Sequence, residues 1–374
     1  MRVYFDNAAT APLLPEVLGA MTETLGSLYG NASSIHREGR QARMAIESVR
    51  KVVAMGLNAS IGEVFFTSGG TECNNMVLKN AVRDFGVQRI ISAQTEHHAV
   101  LHSLQSMEKQ GIVTVEFVTL DAFGRVDMAH LGALLAMSEA KTLVSLMHAN
   151  NEVGAVIDLG AVGQLCRKYG AYFHSDAVQT AGKLRIDVQQ MPVDFLSVSA
   201  HKFHGPKGVG VLYMRQETTL RPFIDGGGQE RNIRGGTENT AGIVGLGVAF
   251  SAAMRDMNVR REAIANLHAY MLGRLRDVFA DLVVNSPDEG LHTILSVSFP
   301  PSMRNEMLLM NLDIHGIAAS GGSACSSGAE GGSHVLTALG CDPDRKTIRF
   351  SFSHLNTTDE VDYVVDTLQK VYFG

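Results

Sequence analysis

Apolar and polar positions follow two periodicities along this chain. Short, β-rich apolar runs occur at "EVFFTS" (63–68), "RIISAQ" (89–94), "VTVEFVTL" (113–120), "TLVSLMHA" (142–149), "AYFHSDA" (171–177), "FLSVSA" (195–200) and "VGVLYM" (209–214). Between most of them apolar residues recur at helical spacing, over 71–85, 97–110 and 159–169. Strands that are apolar almost throughout, separated by helices, predict a mostly parallel sheet covered on both faces. From Thr240 the rhythm changes. Two long helical segments, 240–257 and 259–279, lead into "TILSVSF" (293–299), a helix near 303–315, "TIRFSFS" (347–353) and a last helix. Thr357 followed by Glu360 gives that helix a capping-box spacing. The expected fold class is α/β, a large domain built on a mostly parallel sheet followed by a smaller α+β domain.

Composition narrows the class without naming a chemistry. With 374 residues, two domains are expected, and 45% hydrophobic against 19% charged residues is ample for a globular core. A formal charge of −6 gives no pull toward nucleic acid or anionic membrane, so neither is an expected partner. No apolar run approaches the roughly 18 residues of a spanning helix. The opening "MRVYFDNAAT" has no apolar leader core. Four scattered cysteines, Cys73, Cys166, Cys325 and Cys341, are no disulfide framework, and a cytoplasmic setting is expected.

In an open parallel sheet, ligands bind beyond the carboxyl ends of the strands. After "EVFFTS" comes "GGTECNN", a glycine turn opening a helix whose free N–H groups suit a phosphate, though such a turn alone is most often plain backbone geometry. After "RIISAQ", "TEHHAVLH" brings His97, His98 and His102. His98 and His102 have the spacing of two metal ligands on one helical face, but no third ligand is evident and no metal is expected. His97 reads either as a flat ring facing a site or as an ordinary histidine at a helix start. Asp176, at a strand end, needs a cationic partner or strong donors unless it is simply a helix N-cap. The segment "SVSAHKFHGPKGVG" (197–210) places Lys202 at the next strand end, where burying its ammonium is costly. A phosphate cup, an acid, a donor amide, a flat ring and a strand-end lysine together match a pyridoxal phosphate site. There a lysine forms a Schiff base and a carboxylate keeps the pyridine nitrogen protonated.

These residues resemble the cysteine desulfurases of the class V aminotransferase group, fold type I, in the NifS/IscS-like branch. The resemblance runs from "YFDNAAT" (4–10) through "TSGGTECNN" (67–75), "TEHHAV" (95–100), "HANNEVG" (148–154) and "HSDAVQTAGK" (174–183). It continues in "SAHKFHGPKGVG" (199–210), "GGGQERNIRGGTEN" (226–239) and "SGGSACSSG" (320–328), and reaches the last helix. It implies a large cofactor-binding domain over 15–250 and a small domain over 1–14 and 251–374 that carries the Cys325 loop. It implies that Lys202 holds pyridoxal 5'-phosphate covalently, that His97 stacks on the ring and acts in proton transfer, and that Asp176 pairs with the pyridine nitrogen. Gln179 is implied to bond the phenolic oxygen. Gly70, Thr71, Ser199 and His201 would hold the phosphate, with Thr237 supplied by the neighbouring subunit of a homodimer. Asn151 would contact cofactor and substrate, and Arg349 would fork onto the carboxylate of L-cysteine. Cys325 would take the sulfur as a persulfide and pass it to an acceptor protein, such as an iron–sulfur scaffold. Selenocysteine lyase and aminotransferase chemistry on the same scaffold, or a non-catalytic assembly scaffold, are the alternatives. Cys325 argues against an aminotransferase, which needs no such cysteine, and the retained Lys202, Asp176 and Cys325 argue against a non-catalytic scaffold.

Some positions depart from the family pattern. "NASS" (31–34) stands where Asn-Pro-Ser-Ser is usual, which implies a less rigid turn. Cys73 replaces a usual serine and reads as a packing residue, with a reactive thiolate at a helix start as the alternative. "SHLNT" (353–357) replaces Gly-Arg-Phe-Thr, His204 has no expected role, and Cys166 and Cys341 read as structural. Residues 319–332 carry five glycines and no large apolar side chain, so a mobile tether for Cys325 is expected.

Overall fold

A computed structural model describes residues 1–302, 307–321 and 332–373. The first strand, β1 (Val3–Tyr4), is followed by seven that form one sheet: β2 (Val64–Thr67), β3 (Arg89–Ser92), β4 (Thr114–Phe117), β5 (Thr142–Ser145), β6 (Tyr172–Asp176), β7 (Phe195–Ser199) and β8 (Gly210–Met214). Their order across the sheet is β2-β8-β7-β6-β5-β3-β4. Every neighbour pair from β7 to β4 is parallel, whereas β8 runs antiparallel to both β7 and β2. The sheet is mostly parallel, as the fully apolar runs require. All residues of β2, β3, β5, β7 and β8 are buried, so both faces are covered. The long run at 113–120 keeps only Thr114–Phe117 as strand, because β4 lies at the sheet edge and is partly exposed.

The helices that cover the sheet start where the sequence places stops and caps. Gly70–Phe85 begins after Gly69 and ends at Gly86, whose φ of 67° is the left-handed C-cap that glycine favours. His98–Lys109 is capped by His97, and Leu159–Lys168 by Asp158. Pro15–Ser27 and Arg37–Leu57 pack against Thr240–Arg255. In the "NASS" turn between the first two, the Asn31 side chain accepts from Ser33 N–H at 2.8 Å.

A second core surrounds a smaller sheet. Strands β9 (Val283–Val284), β10 (Ile294–Phe299) and β12 (Lys346–Ser351) form an antiparallel sheet, and β11 (Ile317–Ala318) pairs in parallel with β1. Phe5, Phe299, Phe350 and Phe352 are buried here, with Met257–Val278 packed on the final helix Thr358–Phe373. That helix is capped as its spacing requires. The Thr357 N–H donates to Glu360 and the Glu360 N–H to Thr357 Oγ1, at 3.0 and 3.3 Å. Of the helix expected near 303–315, Leu308–Ile314 is described.

Candidate active site

Within the parallel set, β3 is followed by β4 on one side, while β5, β6 and β7 extend the sheet on the other. This reversal opens a crevice beyond the strand ends. A cleft of about 550 Å3 lies there. Lining it are Gly70, Thr71, His97, Asn151, Asp176, Gln179, Ser199, His201, Lys202 and Arg349. Strand ends and helix starts deliver most of them. Asp176 is the last residue of β6, Ser199 the last of β7, and Gly70 the first of its helix.

Asp176 is buried and accepts on both oxygens, from Asn74 Nδ2 at 2.7 Å and from the Val178 N–H at 2.9 Å. It therefore caps the following turn and also faces the cleft. His97 Nδ1 accepts from the Ala99 N–H at 3.1 Å, which places the ring proton on Nε2. Burial lowers the proton affinity of this imidazole, Asp176 opposes that and Lys202 reinforces it, so the ring is neutral near pH 7. His201 is pushed down to about 4, by burial first and by Lys202 second. Lys202 Nζ donates to the carbonyls of Ala8 and Ala9, at 2.6 and 2.8 Å.

The cup before the helix Gly70–Phe85 is sterically specified. Gly69 has φ +150°, and a Cβ on Gly70 would meet Val178 Cγ2 at 2.5 Å. Arg349 is buried, donating from Nη2 to Asp6 at 2.8 Å and from Nη1 to the Asn151 carbonyl at 2.8 Å, while its Nε is buried without a partner among the described residues. Arg349 and Asn151 are thus brought together on one wall.

Thr237 lies outside this cleft, along a separate cavity shared with Ser68, Gly208 and Arg234. Cys325, and residues 322–331 of the expected tether, lie outside the described residues. Cys73 is fully buried against Thr67 Oγ1, and burial pushes its thiol up to about 12, the behaviour of a packing residue. Cys166 is also buried with its thiol pushed up, and Cys341 is half-buried. His98 and His102 stack at 4.7 Å, and no group of three or more metal-capable side chains occurs among the described residues.

Several contributors were not singled out from sequence. Residues 8–10 form part of the cleft wall, Asn74 holds Asp176, and Asp6 holds Arg349. Glu96, next to His97, accepts from the Met147 N–H at 2.7 Å, and burial pushes its carboxyl well above the usual carboxylate range. Its adjacency to "HH" was the one local signal.

The Aminotransferase class-V family model matches residues 3–364. A cysteine desulfurase IscS of Dictyoglomus turgidum is 40% identical, covering 99% of this chain and 94% of that protein. A solved structure titled NifS-like protein superposes with a TM-score of 0.92 at 37% identity, over 99% of both chains. Another, titled SspA in complex with cysteine, gives a TM-score of 0.84 at 32% identity, covering 95% of this chain and all of that one. Family match, near full-length identity and shared fold all agree, and the chain belongs to the class-V aminotransferase family, on its cysteine desulfurase branch.

Proposed function

We propose that this protein converts L-cysteine to L-alanine, with pyridoxal 5'-phosphate in the cleft and Cys325 as sulfur acceptor. One observation carries the reading: Lys202, Asp176 and His97 line the same cleft as the glycine-fronted start of the helix Gly70–Phe85. The residues present fit the cofactor. A phosphate suits the free N–H groups at Gly70 and Thr71, beside Ser199 and His201. A ring nitrogen suits Asp176, a phenolic oxygen suits Gln179, and a carbonyl carbon suits Lys202. When bound, the cofactor supplies a carbonyl for amines and a protonated ring that draws electrons from the substrate Cα.

The chain's own groups then do the rest. Arg349 and Asn151 orient the substrate carboxylate. The Lys202 amine moves the α-proton, and His97 Nε2–H is a proton source beside the ring. Cys325 thiolate bonds to the substrate sulfur as the Cβ–S bond breaks. The bonding pair passes to carbon, which is protonated on the way to alanine and leaves a persulfide on Cys325. A sulfur-acceptor protein, in iron–sulfur cluster assembly or other sulfur trafficking, receives that sulfur.

The reading includes a large domain over 15–250 and a small one over 1–14 and 251–374, with support in the two separate cores. It also includes a homodimer in which Thr237 completes the partner's phosphate site, consistent with its place outside its own chain's cleft. A cytoplasmic location is part of the reading. No helix of the described residues is long and apolar enough to cross a membrane.

The experiment is borohydride reduction followed by peptide mapping. Wild-type protein carries reduced cofactor on the Lys202 peptide, and Lys202→Ala carries none and releases no alanine from cysteine. Full activity in that variant would overturn the pyridoxal reading.

A further inference from the structure

Lys202 lines not only the cleft but also a second cavity, of about 120 Å3, that is bounded by Lys183, His204, Arg260, Leu291 and Phe352. Among the described residues no Asp or Glu lines this cavity. Lys183 belongs to the cavity and not to the cleft, yet it reaches the cleft through one contact. Its Nζ donates to Gln179 Oε1 at 3.3 Å. An ammonium offers only donors, so the Gln179 atom facing it is the carbonyl oxygen. The NH2 end then points the other way. One of its N–H groups goes to the Ala8 carbonyl at 2.9 Å, which leaves the second for the cleft that Gln179 lines.

We propose that Lys183 is a positioning residue for the reaction: it locks the Gln179 amide so that an N–H, never a carbonyl, meets the anionic ring oxygen of the cofactor. The inference rests on the pyridoxal phosphate reading and goes beyond it in naming a second lysine. A Gln179 turned the other way would set its carbonyl against an anion.

The surroundings explain why a lysine is informative here. Among the described residues, the charged and titratable groups that act on Lys183 are Lys202 and Arg349, with His201 and His204 adjoining. Arg260, Arg261, His292 and His354 line the same cavity. None is acidic, and Asp256, the partner of Arg260, does not reach the lining. Burial, with Lys202 and Arg349 adding to it, brings the Lys183 amine down to about 7. Its counter-charge would come from the cofactor side of Gln179. Binding of an anionic ring and phosphate therefore favours the charged form of Lys183, and the charged form favours that binding.

The test is a pH titration of the visible absorption of the holoenzyme, with cofactor release measured alongside. A donor held against the ring oxygen disfavours protonation there. Removing Lys183 therefore moves the midpoint up. In K183M we expect a rise of about one pH unit and cofactor release faster by about tenfold, the scale of one lost charge interaction. K183R, which keeps charge and donors, should restore the wild-type midpoint. A purely structural role would lower the melting temperature of K183M without moving the midpoint. If K183M keeps both the wild-type midpoint and the wild-type release rate, the proposal is wrong. Should the variants not fold, acetic anhydride labelling of wild-type Lys183 across pH 6–9 decides. We expect a midpoint near neutrality without cofactor and a higher one with it, and equal midpoints would refute the coupling. A wild-type protein with no visible band would instead sink the pyridoxal reading, and this inference with it.

Discussion

The residues proposed to carry the chemistry were legible in the sequence through their local position. Lys202, Asp176 and His97 stand at strand or helix ends, where the backbone itself delivers them to the crevice. Residues that act by holding another were not, because the contact spans the chain. Asn74 meets Asp176 across 102 positions, and Asp6 meets Arg349 across 343. Two buried histidines show what such contacts do to stability. His174 is fully buried between Ser145 and Ser197 hydroxyls, and burial pushes it down to about 3. His148 sits against Thr180 Oγ1 and is pushed down to about 4. Both are neutral in the fold, whereas the unfolded chain protonates them near pH 6.5. Their contribution is thus complete above that pH and is lost as pH falls toward 4, by at most about 1.4 kcal/mol per pH unit for each. Urea midpoints measured from pH 7 down to 4.5 should fall, and His174→Gln should flatten the fall. A wild-type profile with no decline below pH 6.5 would refute this assignment.

Elements were legible where periodicity was complete and less so where pairing is non-local. Apolar runs located all seven strands of the main sheet, and the Thr357–Glu360 spacing located the cap of the last helix. Nothing in "VGVLYM" itself distinguishes a parallel from an antiparallel partner, and β8 is antiparallel to both neighbours. Its first residue shows why a glycine stands there. A Cβ on Gly210 would lie 2.5 Å from the Val198 carbonyl oxygen and 2.6 Å from Gly69 Cα, both backbone. Gly69 belongs to the turn before the helix Gly70–Phe85, so β8, β7 and that turn close together at this point. Gly210→Ala should therefore cost about 1–3 kcal/mol, as overpacking against an unyielding wall does. It should also weaken cofactor binding, because the shift is taken up at Gly69. Calorimetry with a cofactor titration checks both, and an alanine variant equal to wild type in each would contradict the account.

The loop 226–239 holds its place through buried charge rather than periodicity. Glu230, Arg231 and Asn232 all have positive φ, a run that no local pattern announces. Glu230 takes Arg50 in two hydrogen bonds, at 2.7 and 2.8 Å, and accepts the Phe66 N–H at 2.8 Å. Arg234 ties the same loop to Glu72, directly after Gly70 and Thr71.

At the scale of the whole molecule, two cores meet around the cleft. The segment after β1 supplies the Ala8 and Ala9 carbonyls that hold Lys202, and β12 supplies Arg349. The main sheet supplies Asp176 and Ser199. The "SHLNT" segment joins the last helix to the chain start, as Asn356 Nδ2 donates to the Tyr4 carbonyl at 3.0 Å. An assembly of this kind brings Arg349 from one core to the cleft that Lys202 lines from the other, the arrangement that the proposed reaction at an amino acid Cα requires. The claim that sulfur then leaves on the protein is tested most directly by mass spectrometry after one turnover with L-cysteine. The account predicts one added sulfur on the Cys325 peptide, removable by a thiol reductant, with alanine formed in equal amount. Alanine formed with no sulfur on that peptide, or no alanine at all, would contradict it.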